Sequence, residues 1–270
     1  MTAEAASLPR RIVTALPADP RKPQIAILAS LLAFGALYRG FLPTPWAVPA
    51  ALAGAWGMES WVQRAGWTPR HLSGTISALS AVLLFRSEHA WVYGVVAAVA
   101  VASKHLFRID GRHFVNPTNG AVLLGSVVLP GWIGSGQWGH DLVGVFVLAG
   151  AASLTLVRAA RIDTALAVVL ATAAFLASRI AFYGYPWATF GHFFTDGAFW
   201  LFALYMVTDP KTTPRWAAGR WLHGVVVAAV AVALLQFWYV RDSFLWALLA
   251  CAPLVPALDR WRPAAKELHR

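Results

Sequence analysis

Between residues 24 and 258 no polar connection is longer than about ten residues before the chain returns to an apolar segment. Ten such segments can be marked, near 24–38, 44–62, 73–85, 90–106, 117–133, 141–157, 163–182, 192–207, 220–239 and 243–258. This pattern leaves no room for a soluble domain. With 59% hydrophobic and 13% charged residues, the chain is far from the roughly 45–50% and 25% of globular proteins, and its mean hydropathy is +0.59. The expected fold is an all-α membrane protein of about ten transmembrane helices in one domain, 24–258, with tails at 1–23 and 259–270. Several segments fall below the ~20 residues of a straight span, which predicts tilted helices or re-entrant half-helices.

The charges test this map. If the N-terminus is inside, eighteen of the 22 Lys and Arg fall on inner connections and tails, and only Arg39, Arg86, Arg179 and Arg241 lie outside. That asymmetry predicts cytoplasmic termini in a bacterial-type inner membrane. The net charge of +10 is then a topology signal with attraction to anionic lipids, not a nucleic-acid surface. Trp46, Trp61, Trp67, Trp91, Trp132, Trp138, Trp187, Trp200, Trp216 and Trp221 stand near segment ends, as interfacial tryptophans do. Residues 1–23, with four basic residues and four prolines, do not resemble a signal peptide. A single cysteine, Cys251, excludes an internal disulfide or a Cys-ligated cluster within one chain and reads as a buried small hydrophobe.

Polar residues at membrane depth are costly, so they mark function by default. In FVNPTN (114–119), Pro117 removes a backbone donor and keeps Asn116 out of the helical region, predicting Asn116 as N-cap and Pro117 as first helical residue. MVTDPKTT (206–213) repeats the order apolar, polar, Pro, Thr about 93 residues on. Paired proline breaks in two halves point to a repeat-built fold with its site at the repeat interface, and five segments per half would make the repeats inverted. A weaker likeness pairs the small-residue helices of 70–84 and 161–176. Gly74, Ser77, Ser80, Ala98, Ala102 and Ser103 are read as helix-packing positions, whereas Ser73 and Thr75 near the inner surface read first as caps. KHLFRIDGRHF (104–114) places Lys104, His105, Arg108, Arg112 and His113 just before the Asn116 cap, an arrangement suited to anions. No HxxxH, HExxH, P-loop or GxGxxG is present. A bis-histidine haem through His105 or His192 is a minor alternative.

KHLF, a Gly turn and NP in KHLFRIDGRHFVNPTNG, with Thr-Asp-Pro-x-Thr in VTDPKTT, resemble the NqrB/RnfD family, the membrane subunits of sodium-pumping quinone reductase and of the Rnf electron-transport complex. The resemblance covers about 70–258. It implies ten helices in two inverted repeats, similar also to urea transporters, and electron transfer between flavins and redox partner proteins, sometimes coupled to ion movement. By position it implies a site at Asn116, Thr118, Asn119, Thr208, Asp209, Thr212 and Thr213, to which the basic stretch adds Lys104, His105 and His113. Relatives carry covalent FMN on the Thr of a Ser-Gly-Ala-Thr-like motif after the first Asn-Pro helix. Here PGWIGSGQWGHD (130–141) has no such Thr, SGT (73–75) lacks the Ala, and DGA (196–198) ends in Phe199. The expectation is therefore a non-covalent flavin, FMN or riboflavin, or a quinone. The short chain also resembles stand-alone UnbU-like members. The alternatives are a transporter or channel for a small polar solute, and a membrane anchor for a redox enzyme.

Overall fold

A computed structural model describes residues 19, 21–41, 43–64, 71–159 and 161–261, the side chains of residue 146 and residues 152–159 excepted. Most of the expected N-terminal tail, residues 262–270 of the C-terminal tail, Trp67 and Arg70 lie outside the described residues. The last residues of the expected N-terminal tail, from Arg21, already belong to the first described helix.

Among the described residues twelve helices follow in order: α1 (Arg21–Tyr38), α2 (Ala47–Arg64), α3 (His71–Leu84), α4 (Ala90–Leu106), α5 (Pro117–Val128), α6 (Leu142–Ala159), α7 (Ile162–Tyr183), α8 (Ala188–Phe193), α9 (Gly197–Leu201), α10 (Ala217–Phe237), α11 (Ser243–Ala250) and α12 (Leu254–Trp261). Helix α9 runs on through a π turn, Phe202–Met206. Four two-residue strands among the described residues form two small antiparallel pairs: β1 (Phe85–Arg86) with β4 (Trp132–Ile133), and β2 (Arg108–Ile109) with β3 (Arg112–His113). Helices α7 and α10 are long and apolar enough to cross a membrane, and α11 with α12, bent by 44° at their break, make a third candidate span. At 12 residues α5 is about 18 Å long, well short of a ~30 Å hydrocarbon core.

Hydrogen bonds sort the element ends into two sets. At one end Lys104 Nζ donates to Ser73, Arg220 to Asp163, and Arg112 to Asp259. At the other, Ser87 Oγ donates to Pro130 O, Arg39 pairs with Asp141, and Gly197 N–H donates to Gly139 O. The described cations Lys104, Arg112, Arg161, Arg215 and Arg220 thus collect at a basic end, and Arg39 and Arg86 at the opposite one.

Two helix pairs pack with almost no space between backbones. In α2, Ala47, Ala51 and Ala55 recur every fourth residue and are fully buried, and between them a Cβ on Gly54 would lie 2.0 Å from Gly94 O of α4. In α10, a Cβ on Gly224 would lie 2.7 Å from the Ala167 Cβ of α7. Lipid supplies no hydrophobic force between helices, so association rests on such close approach. The outer faces carry large apolar side chains such as Leu124, Val127, Leu166 and Leu170.

One tryptophan departs from the expected interfacial role. Trp138 is 2% exposed and packs edge-on against Phe41, because the short 3-10 turn Ser135–Trp138 folds it inward over Gly197. Trp46, Trp61, Trp91, Trp132 and Trp187 are exposed near element ends. Gly54→Ala is expected to cost about 1–3 kcal/mol through overpacking of α2 on α4. Thermal unfolding in detergent should show the loss, whereas Gly57→Ala, with open space around it, should melt with the parent.

Candidate functional site

The two proline breaks meet. Asn116 is the N-cap of α5, its Oδ1 accepting from Asn119 N–H at 3.1 Å with Pro117 in the first turn. Its Nδ2 donates to Met206 O at 3.0 Å, the last residue of the π turn. One amide thus serves the free N–H of one helix start and a free carbonyl of another helix end. The π turn leaves Val207 N–H bonded to Phe202 O, and Thr208 Oγ1 donates to Leu204 O at 2.8 Å. Single-turn π insertions of this kind are frequent at functional sites.

The hairpin before α5 sets two side chains on opposite sides. Asp110 (φ 51°) and Gly111 (φ 76°) form its two-residue turn, the left-handed geometry that matches strand twist. Alternation along β3 then sends His113 towards Asp209, with Nε2 3.9 Å from Oδ2, an ion-pair distance rather than a hydrogen bond. Arg112 instead donates to the carbonyls of Pro210, Lys211 and Thr213 and to Asp259. Asp209 Oδ1 accepts from Lys211 N–H, and Thr213 Oγ1 donates to Asp209 O while accepting from Arg161 Nε. Burial pushes the Asp209 carboxyl up, but His113 and the Lys211 amide outweigh it and hold the group below its ordinary value.

Around this junction lies a cavity of about 530 Å³, within the range of small-ligand and cofactor sites. Lys104, His113, Asn116, Thr118, Thr208 and Asp209 line it. His105, Asn119, Thr212 and Thr213 do not. Asn119, fully buried, donates to Leu245 O and ties α5 to α11. Thr212 and Thr213 are buried in the loop after Pro210, and His105 lies in the last turn of α4. Cations dominate the rim, where Arg21, Lys104 and Lys211 face Asp209, the one carboxylate among the described lining residues. Deeper in, Ser77, Ser80 and Thr118 supply hydroxyls beside Leu28, Leu83 and Leu201. Tyr205 adds a ring, its hydroxyl donating to Leu148 O at 3.0 Å.

Several of these residues escape a reading of sequence. Ser77 and Ser80, assigned to packing, face the cavity, and Gly74 instead meets the carboxyl of Glu59. Glu59 is 5% exposed, with Oε2 lacking a hydrogen bond and 3.5 Å from His71 Nδ1. It stands behind Ser73, which accepts from Lys104 Nζ through both its Oγ (2.8 Å) and its carbonyl (3.0 Å). Most of the aromatic residues are elsewhere. Phe193, Phe199, Phe202 and Phe244 cluster with one another, and Tyr205 is the one Phe, Tyr or Trp in the described lining. His192 stacks on His140 at the opposite end, far from His105. Among the described residues no three His, Cys, Asp or Glu side chains gather in a metal-binding group.

The family model of the NQR2, RnfD, RnfE family matches residues 127–266, just over half of the 270. The chain belongs to the NQR2, RnfD, RnfE family. No curated protein matches it. The matched segment contains VTDPKTT and begins after FVNPTN, so the first motif reaches the family's part of the chain through the Asn116–Met206 bond. As an NQR2, RnfD, RnfE protein it is a membrane component of electron-transport complexes. Asn116→Ala removes the cap and the bridge together and is expected to cost about 1–3 kcal/mol. Asn116→Ser, which keeps a capping oxygen, should recover part of that in a detergent melting assay.

Proposed function

We propose that this chain is an integral membrane electron-transport protein that holds a flavin or a quinone non-covalently in the cavity where the two proline breaks meet. The observation that carries the reading is the junction itself: Asn116 joins the breaks in a chain of a family that works in electron transport, and a cavity of cofactor size opens beside it. Such a group, when bound, supplies the site that takes up and releases electrons. The protein's residues fit one. Arg21, Lys104 and Lys211 offer positive charge for a phosphate or an electron-rich ring edge, Tyr205 offers a ring face, and Ser73 and Thr118 offer hydroxyls. Leu28, Leu83, Leu201 and Leu204 keep water from the deeper part. The single aromatic ring limits stacking, so polar contacts carry most of the orientation. Attachment is non-covalent in this reading, since no Ser-Gly-Ala-Thr-like sequence is present.

The same reading places the cavity between two inverted sets of five crossings. Following the two sets of ends, α1 to α5 pass between them five times, and α6, α7, α9, α10 and α11–α12 five times more in the opposite sense. The close pairs α2–α4 and α7–α10 are then counterparts. So are α3, which ends in the extended Phe85–Arg86, and α9, which ends in Val207–Thr213. In this scheme FVNPTN and VTDPKTT are neighbours, not equivalents: the counterpart of Asn116–Pro117 is Asp242–Ser243 at the start of α11. The basic end faces the cytoplasm of an inner membrane, and redox partner proteins meet the cavity there. Asp209 is where a cation or proton would be held in any coupling of electron to ion movement.

A transporter of small polar solutes is the second reading, favoured by the hydroxyl row Ser73, Ser77 and Ser80 along one wall. An absorption spectrum of detergent-purified protein, followed by acid extraction, separates the two. The expected result is an extractable flavin or quinone, lost by tenfold or more in Lys104→Gln. Folded protein that stays colourless, retains no quinone and carries a polar solute into liposomes would replace the first reading with the second.

A further inference from the structure

A second compartment lies against the first, on the outer side of the same loops. It is an open pocket of about 330 Å³ bounded by the β2–β3 hairpin, the connection before α10 and α12. His113 and Lys211 line both compartments and make the wall between them. Four cations, Arg112, Lys211, Arg215 and Arg260, face two carboxylates, Asp110 and Asp259.

The carboxylate of Asp259 is engaged in arranging two of those cations. Its Oδ2 accepts from Arg112 Nη1 at 3.1 Å and lies 3.7 Å from Arg215 Nε, while Oδ1 accepts from Arg215 N–H at 2.8 Å. Arg112 is further occupied by three loop carbonyls. The cationic excess at the opening therefore comes from Arg215, whose side chain is 48% exposed, and from Arg260, which takes part in none of the ion pairs among the described residues.

The remaining wall is apolar, made by Ile109, Phe114, Val255 and Pro256. Exposed Leu106 and Phe107 stand beside the hairpin, and on the other flank Trp216 meets exposed Trp261 edge-on. A soluble phosphate needs only the charged part of such a site. A lipid needs both parts, together with a place at the end of a helix bundle where headgroups lie, and basic pockets between membrane helices are known to bind anionic headgroups.

We propose that this pocket binds the phosphate of an anionic phospholipid, with Arg215 and Arg260 as its charged contacts and the acyl chains leaving across the apolar wall. The site stands independently of the electron-carrier reading, because none of its headgroup contacts belongs to the cavity. An occupant would clamp the hairpin and the loop after Pro210 onto α12. Native mass spectrometry of the full chain in detergent, titrated with dioleoyl phosphatidylglycerol or dioleoyl phosphatidylcholine, tests it. One phosphatidylglycerol per chain is expected to stay bound under collisional activation that strips phosphatidylcholine, and to resist millimolar inorganic phosphate. The double variant Arg215→Gln/Arg260→Gln should bind phosphatidylglycerol about tenfold or more weakly. Arg260→Gln alone, which breaks no ion pair among the described residues, should give an intermediate loss and decides the matter if the double variant does not fold. Equal retention of the two lipids, or unchanged affinity in both variants, overturns the proposal. Displacement of the lipid by inorganic phosphate also overturns it, and assigns the pocket to a soluble phosphate ester.

Discussion

The side-chain amide of Asn116 lets two helices stop inside the protein. A helix that begins or ends away from water leaves backbone groups that lipid cannot satisfy, and non-helical backbone survives there only where protein or a lined cavity replaces the solvent. Asn116 accepts from the start of α5 and donates to the end of the π turn, so each break completes the other. Arg112 does the same for the following loop, gathering three carbonyls with one guanidinium. Irregular backbone, and with it a cavity, can exist between α5 and α9 because these two side chains take the place of water.

The frame that holds this junction is of a different kind. The α2–α4 and α7–α10 pairs approach through Gly54, Gly94 and Gly224, with the Arg220–Asp163 ion pair fastening α10 to α7, and form walls on either side. Between these walls α3, α5 and α9 are short or broken, and the cavity opens among them and the start of α1. Close packing and interruption are thus divided among neighbouring helices: the intact pairs supply stiffness, and the broken ones supply polar groups that can turn towards a ligand.

Much of this was legible in the residues. The apolar segments end within a few residues of most helix ends, because Gly, Pro and charged residues punctuate an otherwise apolar chain, and the Asn116 cap follows from the restrictions imposed by Pro117. The facing of side chains was not legible. In α3 every side is apolar or small, so periodicity carries no signal that Ser77 and Ser80 face a cavity while Gly74 faces Glu59. Trp138 reads as interfacial because tryptophans at segment ends usually are, and only the turn of Ser135–Trp138 carries it inside. Contacts such as Arg112 with Asp259, 147 residues apart, leave no local trace. Nor does the spacing of the two proline motifs say whether they are equivalent or merely adjacent. Their hydrogen bond makes them adjacent.

His113 and Lys211 each present a surface to the inner cavity and another to the outer pocket. A partition of two side chains is too thin to isolate what lies on either side. Whatever occupies one chamber and shifts these residues alters the affinity of the other, and by thermodynamic linkage the influence runs equally in both directions. On the two proposals taken together, the state of the membrane surface and the loading of the protein interior are variables of a single equilibrium.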